Sequence, residues 1–105
     1  MKKIEATISP FLLEPVKEAL KEIGLSGITV SEVQDFLPSA DSETPSAYIP
    51  RLMLEVVMND SVRQEAIAAI HREGQIDKTP HAHVYAIDLA DVVRIRTSER
   101  GGAAI

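Results

Sequence analysis

The chain has 105 residues, a net charge of −5, no cysteine, no tryptophan and only 4% aromatic residues. That length fits one domain, residues 1–105, with a core of its own. The missing thiol excludes disulfides, thiolate metal sites and cysteine nucleophiles, and acidity with few aromatics argues against a nucleic-acid partner. No apolar run approaches the ~20 residues of a membrane span, and the start does not read as a signal peptide, so the expectation is a cytoplasmic α+β domain without direct membrane insertion.

Residues 2–9 alternate, with Ile4, Ala6 and Ile8 on one side and Lys3, Glu5 and Thr7 on the other, which predicts a strand. Residues 12–23 have helical spacing. Leu13, Val16, Leu20 and Ile23 form a stripe, and Gly24 supplies the stop. Residues 26–33 read as a second strand. Residues 35–48 lose all periodicity and are rich in Ser, Pro and Asp, which predicts a long loop of the kind that is often functional. A third strand is expected over 51–58. A second helix follows Asn59-Asp60-Ser61, with Val62, Ala66, Ala69 and Ile70 as its stripe. A polar loop over 75–83 then leads to short strands at 83–88 and 92–96 and a polar tail over 97–105.

The order β-α-β, loop, β-α-β predicts a ferredoxin-like βαββαβ sandwich. Its antiparallel sheet carries two helices on one face, with a short extra C-terminal strand and a tail. The third strand offers apolar residues on both sides, Leu52, Leu54, Val56 and Met58 against Met53 and Val57. Helices cover one face only, so the other is expected to bury itself in an oligomer.

No phosphate-binding loop, dinucleotide fingerprint or nucleophile elbow occurs, and no carboxylate pair signals acid–base work. A small enzyme such as a weak ATP hydrolase therefore has no visible machinery, and the expectation is a non-enzyme. Three features stand out. Arg94 and Arg96, at i and i+2, project to one side of a strand, and paired guanidiniums suit a phosphate; the same spacing also suits a solvated face with ion pairs. His81 and His83, with His71 upstream, could ligate a first-row metal with Asp77 or Asp88, although no strong zinc spacing is present and exposed, hydrogen-bonded histidines fit equally. The loop 35–48 is either an inert excursion or a partner-contacting loop.

The opening residues 1–6, Pro10-Phe11, residues 16–20, Ile23-Gly24, residues 27–30, Glu32-Val33, Pro50-Arg51, residues 55–57 and above all residues 93–101, Val-Arg-Ile-Arg-Thr-Ser-Glu-Arg-Gly, resemble the P-II signal-transduction (nitrogen-regulatory) family. The resemblance implies a homotrimer of ferredoxin-like subunits that binds adenine nucleotides between subunits. It also implies that the loop after the second strand docks on a partner, such as a membrane transporter or an enzyme of nitrogen or carbon metabolism. It places Arg94 and Arg96 at phosphates, Thr29 at adenine, and Glu55 and Val57 in the nucleoside pocket. It makes 75–83 the phosphate-side loop, where His83 stands for a family lysine. Asp35, Phe36, Ser39, Ser42 and Ser46 would belong to the partner loop.

The departures from the family are as informative. Residues 80–85, Pro-His-Ala-His-Val-Tyr, replace the family's glycine-containing phosphate loop, whose backbone N–H groups approach a triphosphate. ADP or AMP, rather than ATP, is then the better suited effector. The partner loop is shorter than usual. It lacks the Gly-Arg-Gln segment that helps hold Mg-ATP and 2-oxoglutarate, and the tyrosine that some members uridylylate. Arg51 stands where the family has a lysine near the effector. The chain thus resembles divergent relatives that sense adenine nucleotides with bicarbonate or sit beside ion transporters. No covalent cofactor is implied. The alternative reading is a metal-responsive module using His81 and His83.

Overall fold

The computed structural model describes residues 1–25, 27–77 and 82–105. Its elements are β1 (Lys2–Ile8), α1 (Leu13–Glu22), β2 (Thr29–Leu37), β3 (Ala47–Met58), α2 (Arg63–Gly74) and β4 (Val84–Asp88). Single 3-10 turns, Pro10–Leu12 and Asp60–Val62, lead into the helices. The strands pair antiparallel in the order β2-β3-β1-β4.

Alternation along the strands decides which face the helices cover. In β1 it sends Ile4, Ala6 and Ile8 inward, and in β3 Leu54, Val56 and Met58. Leu12, Val16 and Leu20 from the first helical segment and Ala66 and Ile70 from α2 close on them in one cluster. Each large side chain buried there contributes about 1.5–3 kcal/mol. The α1 stripe is rotated slightly from the sequence expectation: Leu12 and Ala19 are buried, while Leu13 and Ile23 are half-buried. The helix ends at Gly24, whose φ of 91° is left-handed. Its N–H reaches the Lys21 carbonyl and the Leu25 N–H reaches that of Leu20, at 3.0 and 2.9 Å, which satisfies two carbonyls at the helix end. The result is the expected α+β, ferredoxin-like sandwich with both helices on one face.

Two expectations need correction. The first is the loop 35–48. The register of β2 with β3 continues through Asp35↔Ile49 and Phe36↔Tyr48 to Leu37↔Ala47. Asp35 and Phe36 are therefore strand residues, and only residues 38–46 form the loop. β1 ends opposite Leu52, so the hairpin runs on past the sheet, and the molecule measures 55 × 24 × 20 Å. Pro50 lies in this outer part, where β3 has one neighbour and a missing donor is tolerated.

The second correction concerns the C-terminal segment. No strand forms over 92–96. A single bridge joins Val93 to Arg100, and the Ser98 N–H returns to the Arg94 carbonyl at 2.8 Å. Ser98 takes a φ of 63° to close this turn. The tail then folds back as a 3-10 turn, Gly101–Ala104, with Ala104 buried. A Cβ on Gly102 would lie 3.0 Å from Asn59 Oδ1, so only glycine passes there without a shift.

The sheet face opposite the helices is open. Register puts Lys3 beside Val57 and Ile87, Glu5 beside Glu55 and Tyr85, and Thr7 beside Met53. This face is mixed rather than apolar, with Tyr85 and Ile87 exposed.

Candidate functional site

An open cleft of about 710 Å³ lies where the ends of β1, β2 and β3 meet the end of α1 and the C-terminal turn. Thr29 and Glu55 face each other across the β2–β3 ladder, and Val57 follows Glu55 on the same face. Arg94 enters from the C-terminal turn, and Gly27, Lys3, Val92 and Ile105 complete the walls. Four of the six predicted nucleotide-site residues, Thr29, Glu55, Val57 and Arg94, are thus brought together.

Arg94 is held by its backbone: its N–H donates to the Glu99 carbonyl at 2.9 Å, and its carbonyl receives Ser98. Its side chain is 43% exposed, with Nε 3.8 Å from Glu99 Oε1. This is a loose surface pair that an anion can replace. Among the described residues of the lining, Arg94 and Lys3 have cationic side chains and Glu55 an acidic one. Glu5 sits beside Lys3 on the open face. The Lys3–Glu5 contact of 2.8 Å and the hydrogen bond donated by the Tyr85 hydroxyl at 2.6 Å hold the Glu5 carboxyl below its ordinary value. The same contacts, above all the hydrogen bond to Glu5, raise the values of Lys3 and Tyr85.

Arg96 and His83 do not join this cleft. Arg96 lies in the turn that replaces the expected strand, so the same-side rule for i and i+2 does not apply to it. His83 is exposed and lines a second cavity of about 420 Å³ with Thr7, His71 and Asp77. Lys3 in the first cleft and Thr7 in the second stand four residues apart on β1, roughly 13 Å along the strand. The two parts of the predicted site therefore lie at opposite ends of the sheet within one chain.

The histidine reading is reached only in part. His71 and His83 share the second cavity, but His81 lies outside the described residues, as do Lys78, Thr79 and Pro80 of the expected 75–83 loop. Asp88 is bonded to the Lys2 ammonium at the far end of β4. Among the described residues no group of three His, Cys, Asp or Glu side chains is arranged to hold a metal ion.

In the hairpin tip, Asp41 Oδ1 accepts the Glu43 and Thr44 N–H groups at 2.8 and 2.7 Å, which lowers its pKa, Thr44 contributing most. Ser46 Oγ accepts the Ser39 N–H at 3.1 Å, and the Ser39 hydroxyl bonds to the Asp41 and Thr44 carbonyls. Ser39 and Ser46 thus tie the tip together, and Ser42 is exposed on it. Phe36 and Tyr48 stack across the stem with centroids 5.1 Å apart, both well exposed.

Two features escaped the sequence reading. Ile105 in the cleft wall depends on the fold-back of the tail. The buried cluster of Arg51, Asp35 and Asp77 joins residues far apart in the chain. Its one local signal is an arginine set beside the apolar run Leu52-Met53-Leu54 of β3.

Among the described residues no helix is long and apolar enough to cross a membrane. A family model described as "Nitrogen regulatory protein P-II" matches residues 1–99. The chain is 41% identical to "Nitrogen regulatory protein P-II" of Azospirillum brasilense over 112 aligned positions, which cover 100% of both chains. It is 40% identical to the protein of the same name from Rhodospirillum rubrum and 37% identical to "Nitrogen regulatory protein P-II 1" of Escherichia coli strain K12, again over the full length of both chains.

Proposed function

This chain belongs to the P-II nitrogen-regulatory family, a regulator rather than an enzyme, and from that premise we propose that it is a trimeric sensor of adenine nucleotides. The observation that carries this reading is the cleft that gathers Thr29, Glu55, Val57 and Arg94. Its size suits a small ligand. Thr29 and Val57 would meet the base, Glu55 would lie beside the nucleoside, and the Arg94 fork would take phosphate oxygens.

The placement of His83 supports a cleft shared between subunits. One chain keeps His83 and Arg94 at opposite ends of its sheet, whereas a neighbour packed on the open face can bring its own His83 to this Arg94. The open face, with Met53, Val57, Tyr85 and Ile87 among its charges, provides the surface for such packing. Arg96, at the tip of the same turn as Arg94, would meet phosphate only in that assembled state. Loss of the family's loop glycines, with Pro80 and Ala82 in their places, favours ADP or AMP over ATP, with bicarbonate as a candidate co-effector.

The nucleotide would regulate a partner, a membrane transporter or a metabolic enzyme, through the hairpin whose tip carries Ser39, Ser42 and Ser46. To act as a switch it must bind one hairpin state better than the other. A thermal-shift panel of ADP, AMP and ATP, each alone and with bicarbonate, 2-oxoglutarate or divalent metal, tests this. Stabilisation by ADP or AMP is the expected result. No shift with any adenine nucleotide would refute the reading.

A further inference from the structure

Arg51 interrupts the apolar run of β3, yet it is only 2% exposed. Its guanidinium reaches three segments of the chain. Nη1 donates to Asp77 Oδ2 at 2.7 Å, Nη2 donates to the Thr7 carbonyl at 3.1 Å, and Nε stands 3.3 Å from Asp35 Oδ2 as an ion pair. Asp77 Oδ2 also accepts the Ser9 backbone N–H at 3.2 Å. The Asp35 and Asp77 side chains are 16% and 5% exposed, so salt screens these pairs weakly.

The position of the cluster in the fold suggests its role. β1 stops opposite Leu52, and Arg51 is the first residue of β3 beyond that point. Past it the hairpin has only its own β2–β3 ladder, and Arg51 with Asp35 pins its base to the body. Asp77 follows α2 and precedes residues 78–81. His83, on the other side of those residues, gives its carbonyl to the Thr7 N–H at 3.3 Å. One guanidinium therefore holds the base of the hairpin and, directly or through Thr7, both flanks of the α2–β4 connection.

We propose that Arg51, with Asp35 and Asp77, is a positioning latch that couples the hairpin to the α2–β4 connection. The regulatory meaning of the latch rests on the function proposed above; its mechanical action does not. Separating Asp77 from Arg51 breaks a buried charged hydrogen bond of 2.7 Å, which is costly, so the two segments move together. A ligand that shifts the connection is thereby felt at the hairpin.

Hydrogen exchange of the unliganded protein tests the latch. Asp77→Asn keeps the shape and removes one charge. Exchange over residues 31–37 and 47–51 should rise on the order of tenfold, while residues 2–8 and 54–58 keep wild-type rates. Arg51→Lys, which retains charge but loses the fork, should fall between the two. Unchanged hairpin exchange, or a uniform rise along the whole chain, would overturn the proposal. If Asp77→Asn fails to fold, Asp35→Asn gives the same reading from the hairpin side. With saturating ADP, wild-type hairpin exchange should change and that of Asp77→Asn should not. A full-size change in the variant would overturn the coupling. Should ADP bind neither protein, the nucleotide reading fails, and the unliganded comparison still decides the latch.

Discussion

Replacing Arg94 by alanine separates the proposed phosphate contact from the fold. Its side chain is 43% exposed, and among the described residues its ionic partner is Glu99, 3.8 Å away and also nearly half-exposed. A surface pair of that kind is worth about 0–1 kcal/mol, so we predict that stability changes by less than about 0.5 kcal/mol. A charged hydrogen bond to a phosphate is worth about 1.5–3 kcal/mol net. Displacing Glu99 takes back a fraction of that. The predicted loss of ADP affinity in Arg94→Ala is therefore roughly 10- to 100-fold. Arg94→Lys should lie between wild type and alanine, because it keeps the charge and loses the fork. Glu99→Gln, which removes the competing carboxylate, should not weaken ADP. Calorimetric titration of the variants measures all of this. Equal ADP affinity in wild type and Arg94→Ala would refute the assignment, and a large loss of stability would show that the residue acts through the fold.

Further predictions follow from the packing and the open face. Leu54→Ala removes a side chain only 1% exposed at the centre of the sheet and should cost about 2–5 kcal/mol in urea unfolding; a cost within experimental error would contradict the core described. Gly24→Ala puts a Cβ on a backbone with φ of 91° and open space around it, so strain alone should cost about 1–2 kcal/mol, and Asn at this site should cost less. Glu5 is depressed by Lys3 and Tyr85. Its stabilising contribution is therefore complete above the ordinary glutamate value of 4.5 and is lost as pH falls through its lower folded value. Tyr85→Phe should raise the Glu5 midpoint in an NMR carboxyl titration; an unmoved midpoint would show that the hydroxyl does not matter. Asp41→Ala should loosen the hairpin tip, read as faster exchange of the Glu43 and Thr44 amides.

How much was legible in the sequence depended on whether a segment has a buried face. β1 and β3 alternate because their even residues pack under the helices, and both helices show their stripes for the same reason. β2 carries no fully buried residue. Beyond Val33 its sequence therefore shows no alternation, and Asp35 and Phe36 read as loop although they continue the ladder with Ile49 and Tyr48. At Val92 and Val93 the opposite happened. Local β propensity suggested a strand, but the turn closed by Ser98 reverses the chain before a ladder can form. Thr29, Glu55 and Val57 were singled out through a resemblance in their surrounding residues, and Arg94 already by its spacing from Arg96. The fold explains why residues so far apart in the chain can serve one cleft. Arg51 shows the limit of reading by pattern, since a charge within a strand gives no hint of being buried until partners from β2 and the end of α2 are in place.

The central claim is that an adenine nucleotide occupies the cleft beside Arg94 in an assembly of identical subunits. Calorimetric titration of ADP into the wild-type protein tests it most directly. The account predicts saturable binding with one ADP per chain, and an absence of saturable ADP binding would contradict it.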